Sequence, residues 1–350
     1  MAAKTGRNRE VKLARHPAGP LRAEDFVVAV AAAPVPGPDE VLIRNRWFRV
    51  SVSTRLMAQA DARAVEGIPF PPLQPGDTLA DGAIGEVIEA GAACDLAVGS
   101  FVMHPFGWRD YAVAGARDCT VLSDPAPEPA AYLGHGWTAY AALTQGIQVQ
   151  AGDTVFVTSG AGAIGSMAGQ IARLLGAGRV IGSTSTDEKA HWMQAELGYD
   201  AVITRDGGPV INQLMRVAPG GIDVVVDMVG GEQLAAAMSL ARTGARCVIL
   251  GALTAELDPR RAGLRAPVEL DSFQIVLKGV TLRGFSACEE ASDTFADWLR
   301  RFADWQRADR LRLPCTIVEG LDAAPRALAE ACAGRLRGLV LVALPGGGDA

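Results

Sequence analysis

The segment from Asp153 to Leu175 constrains the fold more than any other, because a β-branched run, a glycine turn and an amphipathic run follow one another without a break. Thr154 to Thr158 alternate as a strand does, while Ile164, Ala168, Ile171 and Leu175 recur at helical spacing. Between them Gly160, Gly162 and Gly165 have the G-x-G-x-x-G spacing. The first glycine permits a tight turn, the second lets a pyrophosphate approach the backbone, and the third lets the helix press on the strand. The helix start, with Ala163 and Ile164 leading into it, offers unpaired N–H groups and a positive dipole end to an anion. A glycine-rich surface turn is the plain alternative, but the flanking strand and helix favour a dinucleotide site.

The rest of the chain supplies a context for that turn. With 350 residues there is room for two domains, and a net charge of −6 without a basic run argues against general nucleic-acid binding. No apolar stretch reaches membrane-spanning length and no apolar signal core precedes Glu10, so a cytoplasmic protein is expected. Six scattered cysteines, Cys94, Cys119, Cys247, Cys288, Cys315 and Cys332, fit neither a zinc knuckle nor a disulfide framework and read as buried small hydrophobes.

Before the glycine turn, short strands at Phe26–Ala31, Glu40–Arg46, Gly85–Ala90 and Ser100–Pro105 are broken by Gly and Pro, which indicates a separate, mostly β domain. A helix is expected from about Pro129 through Tyr132 and Tyr140 towards Leu143. After the turn, apolar runs at 179–183, 201–203, 223–227, 246–250 and 280–284 alternate with helical segments, the pattern of a doubly wound parallel sheet. Phe295, Trp298, Leu299 and Phe302 give 292–306 an amphipathic helix, and 338–344 is a closing strand expected to rejoin the first domain.

The order of local phrases resembles the zinc-independent medium-chain dehydrogenases/reductases, specifically the NADPH-dependent alkenal/enone reductases that include prostaglandin reductases and plant double-bond reductases. The likeness runs from Asn8–Val11 and Gly37–Asn45, through Gly107-Trp108, Thr138–Tyr140, Gly160–Ala172, Asp187–Lys189 and Leu197–Asp200, to Arg283–Phe285 and Gly320–Pro325. It implies an α/β protein with a GroES-like mostly-β domain (1–127 and 287–350) around a Rossmann domain (128–286), and a homodimer. Zinc-bearing relatives hold the metal with a Cys after the early strands and a His-Glu pair after the Pro-Gly-Asp turn. The matching stretches here, Ser53–Met57 and Asp77–Glu86, hold no Cys or His, so no metal is expected.

An NAD site places Asp or Glu at the end of the second strand. This chain has Ser183, Thr184 and Ser185 there, which leave space for a 2′-phosphate. The resemblance puts Lys189 at that phosphate, and Arg205 stands where relatives carry a tyrosine near the adenine ribose. Both cations would suit it, although solvated surface cations are the ordinary case. NADP(H) is therefore expected, with Gly251 and Phe285 completing the cofactor set by likeness.

The catalytic residues match less well. Relatives carry a tyrosine after the Gly-Ala of the fifth strand and another in an early Asp-Pro-Tyr-Met-Arg phrase. Here those regions read Gly251–Asp258 and Ser51–Arg55 without either tyrosine, and only Arg55 survives. Met228 and Leu336 likewise replace asparagines. Candidates for the missing donor are Arg55, His135 and Thr254, beside Tyr111, Trp137 and Tyr140. His135 also reads as a helix-end structural residue, and Glu256 as a solvated loop carboxylate unless it is desolvated. The expected activity is reduction of an activated C=C bond in a small, apolar unsaturated carbonyl compound. The alternative is a divergent NADP-binding enzyme that reduces carbonyls or quinones, or has a non-redox, cyclase-like role.

Overall fold

The computed structural model describes residues 6–62, 71–122, 128–258, 265–286 and 292–345; Cys288 and residues 346–350 of the tail lie outside them. The chain divides into two compact units, Met1–Gly134 with Cys315–Ala350, and His135–Pro314. The first unit opens with β1 (Arg7–Leu13), β2 (Phe26–Ala32), β3 (Glu40–Arg49), β4 (Ala83–Ala90), β5 (Phe101–His104), β6 (Tyr111–Gly115) and β7 (Thr120–Val121). The second holds β8 (Thr154–Val157), β9 (Arg179–Thr184), β10 (Ala201–Thr204), β11 (Ile222–Asp227), β12 (Ala241–Ile249) and β13 (Thr281–Gly284). Two further strands, β14 (Cys315–Glu319) and β15 (Leu339–Ala343), belong to the first unit again. Among the described residues no helix is long and apolar enough to cross a membrane.

In the first unit β1 pairs with β2, and the remaining strands form one sheet in the order β14-β15-β3-β4-β5-β7, with β6 also on β3. The long strand β3 is the hub. Its start pairs with β6, most of its length with β4, and its end with β15, so the closing strand is antiparallel to β3 at Leu341↔Arg49. Val41 and Ile43 pack in one core with Val87 and Val102 and, past a register shift between Asn45 and Trp47, Phe48 packs in another with Trp108 and Val342, while Arg44 and Arg46 on the same strand both donate to Glu86 at 2.8 Å.

The turn after β5 carries a buried polar network. Trp108 is fully buried with φ 63, an uncommon backbone for a bulky residue, and its ring lies 5.1 Å from that of Phe48. Gly107 precedes it because a Cβ there would stand 2.7 Å from Phe48 Cβ and 2.9 Å from the Asp81 carbonyl. Asn45 holds the turn by donating from Nδ2 to the carbonyls of Phe106 at 3.1 Å and Arg109 at 2.9 Å. The Phe106 N–H donates to His104 Nδ1 at 3.2 Å, so the ring proton sits on Nε2 and is donated to Asn45 Oδ1 at 2.9 Å. Burial, with the Arg109 charge adding to it, lowers the His104 pKa from 6.5 to about 3.

In the second unit the parallel sheet runs β10-β9-β8-β11-β12-β13. Renumbered within the unit, that is the 3-2-1-4-5-6 order of dinucleotide-binding sheets. Near-continuous Val/Ile strands follow from burial on both faces. Phe156, Ile181, Val225 and Cys247 pack with Leu214 and Leu234 of the Val210–Val217 and Gly231–Ser239 helices in one core.

Three expectations need correction. The helix foreseen from Pro129 to Leu143 is two, Pro129–Leu133 and Gly136–Ala141, because Gly134 is extended at ψ 166 and a Cβ there would meet the Ala130 carbonyl at 2.2 Å. The Ser292–Arg307 helix belongs to the second unit, where Trp298 and Phe295 face Tyr140 and Trp137 at ring separations of 5.8 and 5.9 Å. Of the cysteines described, only Cys247 is fully buried, with its thiol pushed up to about 12 by burial and then by Asp227; Cys94, Cys119, Cys315 and Cys332 are half-buried.

The His104 environment sets an acid limit on stability. The unfolded chain takes up a proton on this ring below pH 6.5 and the folded chain does not until about pH 3, so stability falls as pH drops between those values. The slope is about 1.4 kcal/mol per pH unit. Urea unfolding from pH 6.5 to 5 should therefore cost wild type about 2 kcal/mol more than His104→Gln; equal losses in both proteins would refute the assignment.

Candidate active site

The glycine turn forms at the C-terminal end of β8 and is built almost entirely from backbone. Ser159 turns the chain with φ 52, and its N–H donates to Ser183 Oγ at 3.1 Å. The Gly160 N–H donates to the Ser183 carbonyl at 2.7 Å, and Gly162 N–H to the Ser159 carbonyl at 2.9 Å. The helix Gly165–Leu174 then starts so close to the turn that a Cβ on Gly165 would lie 2.3 Å from the Ser159 carbonyl oxygen. Gly162 differs. A Cβ there would meet only Ser159, at 3.0 and 3.2 Å, so close packing by other residues does not account for this glycine. A backbone left bare at the mouth of a helix N-terminus fits a phosphate.

Opposite the turn, Asp227 ends β11 fully buried and joins the two central strands. Its Oδ1 accepts from Thr158 Oγ1 at 2.9 Å and its Oδ2 from the Gly230 N–H at 2.9 Å, while Thr158 Oγ1 accepts from the Met228 N–H at 2.8 Å. Burial raises the Asp227 pKa, and these donors oppose it. The loop Met228–Gly230 is thus fixed from below, and it in turn receives the Leu253 and Thr254 N–H groups. The next strand end is tied in by the Phe285 N–H, which donates to the Ile249 carbonyl at 3.0 Å.

Several foreseen residues meet here. Gly160, Gly162, Ala163, Ile164, Gly165 and Ser183 form the turn and its support, and Gly251, Thr254 and Phe285 sit at the ends of β12 and β13 or just beyond them. Ser185 is half-exposed after β9, Arg205 is exposed with its N–H on the Thr184 carbonyl at 3.2 Å, and Lys189 is buried in the first turn of the Asp187–Leu197 helix that Thr186 caps. Ser183 departs from the expectation of open space for phosphate. It is 3% exposed, and its hydroxyl accepts from Ser159 and donates to Gln233 Oε1 at 2.6 Å, so it braces the turn.

The catalytic candidates separate. The Thr254 hydroxyl donates its one proton to the Val229 carbonyl at 2.7 Å, which removes it as a donor to anything else in this arrangement. His135 is half-buried at the N-cap of the Gly136–Ala141 helix. Arg55 belongs to the first unit and is 2% exposed; Gln59, with its amide oxygen towards the guanidinium, accepts from Arg55 Nη2 at 3.2 Å. Glu256 overturns its reading as a solvated carboxylate: burial raises its pKa, and Oε1 accepts from the Ala252 N–H at 3.3 Å beside Gly251. Among the described residues no His, Cys, Asp or Glu groups of three gather for a metal.

This architecture has known counterparts. Residues 163–304 match the family described as zinc-binding dehydrogenase, and residues 9–122 the N-terminal domain of oxidoreductase. The Bacillus subtilis protein YfmJ, named as an NADP-dependent oxidoreductase, is 30% identical over 346 residues, covering 97% of this chain and 98% of that protein. The chain belongs to the medium-chain dehydrogenase/reductase superfamily, in its alkenal/enone reductase family. Its Rossmann and GroES-like parts are those of that family. Within it, the NADPH-dependent curcumin reductase of Escherichia coli is 27% identical over 348 residues, covering 97% of this chain and 98% of that one. A crystal structure of CurA from Vibrio vulnificus in complex with NADPH superposes with TM-score 0.85 at 27% identity, covering 97% of this chain and 99% of that one.

The second and third glycines of the turn should respond differently to a methyl group. Gly165→Ala meets backbone at 2.3 Å and should lose about 1–3 kcal/mol of stability. Gly162→Ala should unfold within about 1 °C of wild type yet bind dinucleotide at least about tenfold more weakly, since the methyl enters the anion's space. Thermal melts with dinucleotide titration check both; a destabilised Gly162→Ala with unchanged binding would contradict the phosphate cradle.

Proposed function

We propose that the protein is a reductase that uses NADPH to reduce the activated C=C bond of an α,β-unsaturated carbonyl compound. The observation that carries this reading is the bare glycine turn on a 3-2-1-4-5-6 parallel sheet, in a chain of the alkenal/enone reductase family. NADPH, when bound, supplies the hydride. The protein's part is to hold its phosphates at Gly160–Gly165, its 2′-phosphate near Ser185, Lys189 and Arg205, and its nicotinamide end by Gly251 and Phe285. Names among the relatives, NADPH-dependent curcumin reductase and prostaglandin reductase 1, support this reading, since both describe reductases of small organic molecules.

Addition of hydride to such a substrate builds negative charge on its carbonyl oxygen and then requires a proton at the α-carbon. With the family tyrosines absent and Thr254 engaged, the reading assigns those tasks among Arg55, His135 and Glu256. A carboxyl whose pKa is raised by burial is better suited to proton delivery than an exposed one, and burial raises the pKa of Glu256. The Cys- and His-free stretches Ser53–Met57 and Asp77–Glu86 support a zinc-independent enzyme.

We further read the protein as a cytoplasmic homodimer. The Ser272–Lys278 helix exposes Phe273, Val276 and Leu277 by 60% or more, and β13 is the last strand of its sheet in the described residues. A second copy laid along this edge would extend the sheet and cover the apolar helix. Val276→Asp should then shift sedimentation from dimer to monomer, and a wild-type monomer would end this reading.

The catalytic reading is tested by steady-state kinetics with a panel of enones. NADPH should be oxidised in their presence, and Lys189→Ala and Arg205→Ala should each raise KM for NADPH about tenfold with no matching change for NADH. Including Glu256→Gln and His135→Asn in the same panel identifies the proton donor. Tight NADPH binding without turnover of any enone would favour the divergent, carbonyl-reducing or non-redox alternative.

A further inference from the structure

We propose that Tyr199 is a positioning residue for the dinucleotide, holding the first turn of the Gly165–Leu174 helix in the orientation that presents the N–H groups leading into it to phosphate. This rests on the reading of the glycine turn as the NADPH phosphate site.

The tyrosine occupies a slot whose walls are glycines on three different elements. A Cβ on Gly169 of the helix would lie 2.3 Å from its Cζ, one on Gly182 of β9 would lie 2.7 Å from its Cε1, and one on Gly160 of the turn would lie 3.2 Å from its hydroxyl. Met193 Cε closes the slot, 2.3 and 2.4 Å from the positions a Cβ would take on Gly160 and Gly182. A side chain on Gly169 or Gly182 would displace the ring, and one on Gly160 would displace Met193 and crowd the tyrosine hydroxyl. The glycine pattern of this unit therefore serves two ends: Gly162 is left bare by its neighbours, whereas Gly160, Gly169 and Gly182 make room for Tyr199.

The hydroxyl acts where the cradle begins. Tyr199 is 3% exposed, and its O–H donates to the Gly165 carbonyl at 2.6 Å while the Gly169 N–H lies against the same oxygen. Those two backbone groups are the ends of one i to i+4 helical hydrogen bond, so the phenol enters the ladder at the first turn. The Ser166, Met167 and Ala168 N–H groups of that turn donate to the Gly162 and Ile164 carbonyls, so an anion would use the N–H groups of Ala163, Ile164 and Gly165 that lead into it. Because the Ser166 N–H holds the Gly162 carbonyl, a rotation of the turn would move that stretch with it.

The backbone on either side of Tyr199 is held. Gly198, in the left-handed conformation at φ 70, ends the Asp187–Leu197 helix and sends the chain back towards the sheet. The Tyr199 N–H then donates to the Met193 carbonyl at 3.3 Å. Asp200 donates its N–H to the Val180 carbonyl at 2.9 Å, accepts the Val180 N–H at 2.7 Å, and pairs with Arg173 at the far end of the Gly165–Leu174 helix. The ring is thus fixed to β9 and to the helix together, and it transmits the spacing between them to the turn.

Tyr199→Phe keeps the ring and removes the hydrogen bond. NADPH titration followed by fluorescence should give a Kd raised about tenfold, with kcat at saturating NADPH within about twofold of wild type. Ile171→Val, a buried truncation in the same helix, is the control: it should lower the melting temperature and leave Kd unchanged. Tyr199→Phe that melts early but binds NADPH as wild type does would overturn the proposal and leave the phosphate reading intact. Failure of wild type itself to bind NADPH would instead remove the phosphate reading, and Tyr199's role with it.

Discussion

Contact between backbone and backbone at Gly165 is the constraint on which the second unit is built. With no side chain there, the helix begins against the Ser159 carbonyl, and everything nearby is arranged to hold that distance. Ser183 holds Ser159 from the neighbouring strand, and Gln233 holds Ser183. The Thr158–Asp227 bond fixes the strand that delivers the turn. Hydrogen bonds of this kind, each worth about 1 kcal/mol net, would be weak singly, but they share partners and so restrict one another. The carboxylate of Asp227 is fully buried and receives three donors in the plane between β8 and β11, where the strand order reverses. Ligands of open α/β sheets bind at that reversal.

Much of this fold was legible because its signals are local. The strand-turn-helix around Gly160 to Gly165, the alternation of apolar runs with helical segments, and the Asp187–Leu197 helix between Thr186 and Gly198 all depend on periodicity and capping. What could not be read depends on residues distant in sequence. Ser183 appeared as a gap for phosphate because its type and place suit one; its partner Gln233 is fifty positions away and gives no local sign. Glu256 looked like an exposed loop carboxylate, and only the path of the loop puts it under cover. Tyr199 was visible as part of the Leu197–Asp200 phrase, but the empty Cβ positions that accommodate it come from three other segments. The break at Gly134 and the attachment of the Ser292–Arg307 helix to Tyr140 and Trp137 likewise follow from packing.

The first unit relies on a different means of precision. There the backbone at Trp108 adopts a strained conformation, and a side-chain network compensates. Asn45 spends both amide protons on carbonyls of the turn and its oxygen on His104, so the imidazole cannot take a second proton without losing the Phe106 N–H. The neutral tautomer is therefore part of the fold. Such networks carry no periodic signature, so Asn45 entered the sequence reading only as the end of the Gly37–Asn45 phrase and His104 only as part of a strand.

These two kinds of construction bear on how the chain departs from its relatives. A cradle of main-chain N–H groups keeps its function as long as glycines and their packing partners are kept, whatever the side chains at its rim. Substitution of Asn by Met at 228 removes one neutral hydrogen bond and leaves the backbone of that loop held by Asp227 and Thr158. Donors for a substrate oxygen are side chains on loops, and nothing in the backbone replaces them when they change. The stretches Ser51–Arg55 and Gly251–Asp258 hold no tyrosine, and the second holds Glu256, whose pKa burial raises. The reduction chemistry can persist there with a different acid, because what the reaction demands is a proton held at a suitable pKa rather than one residue type.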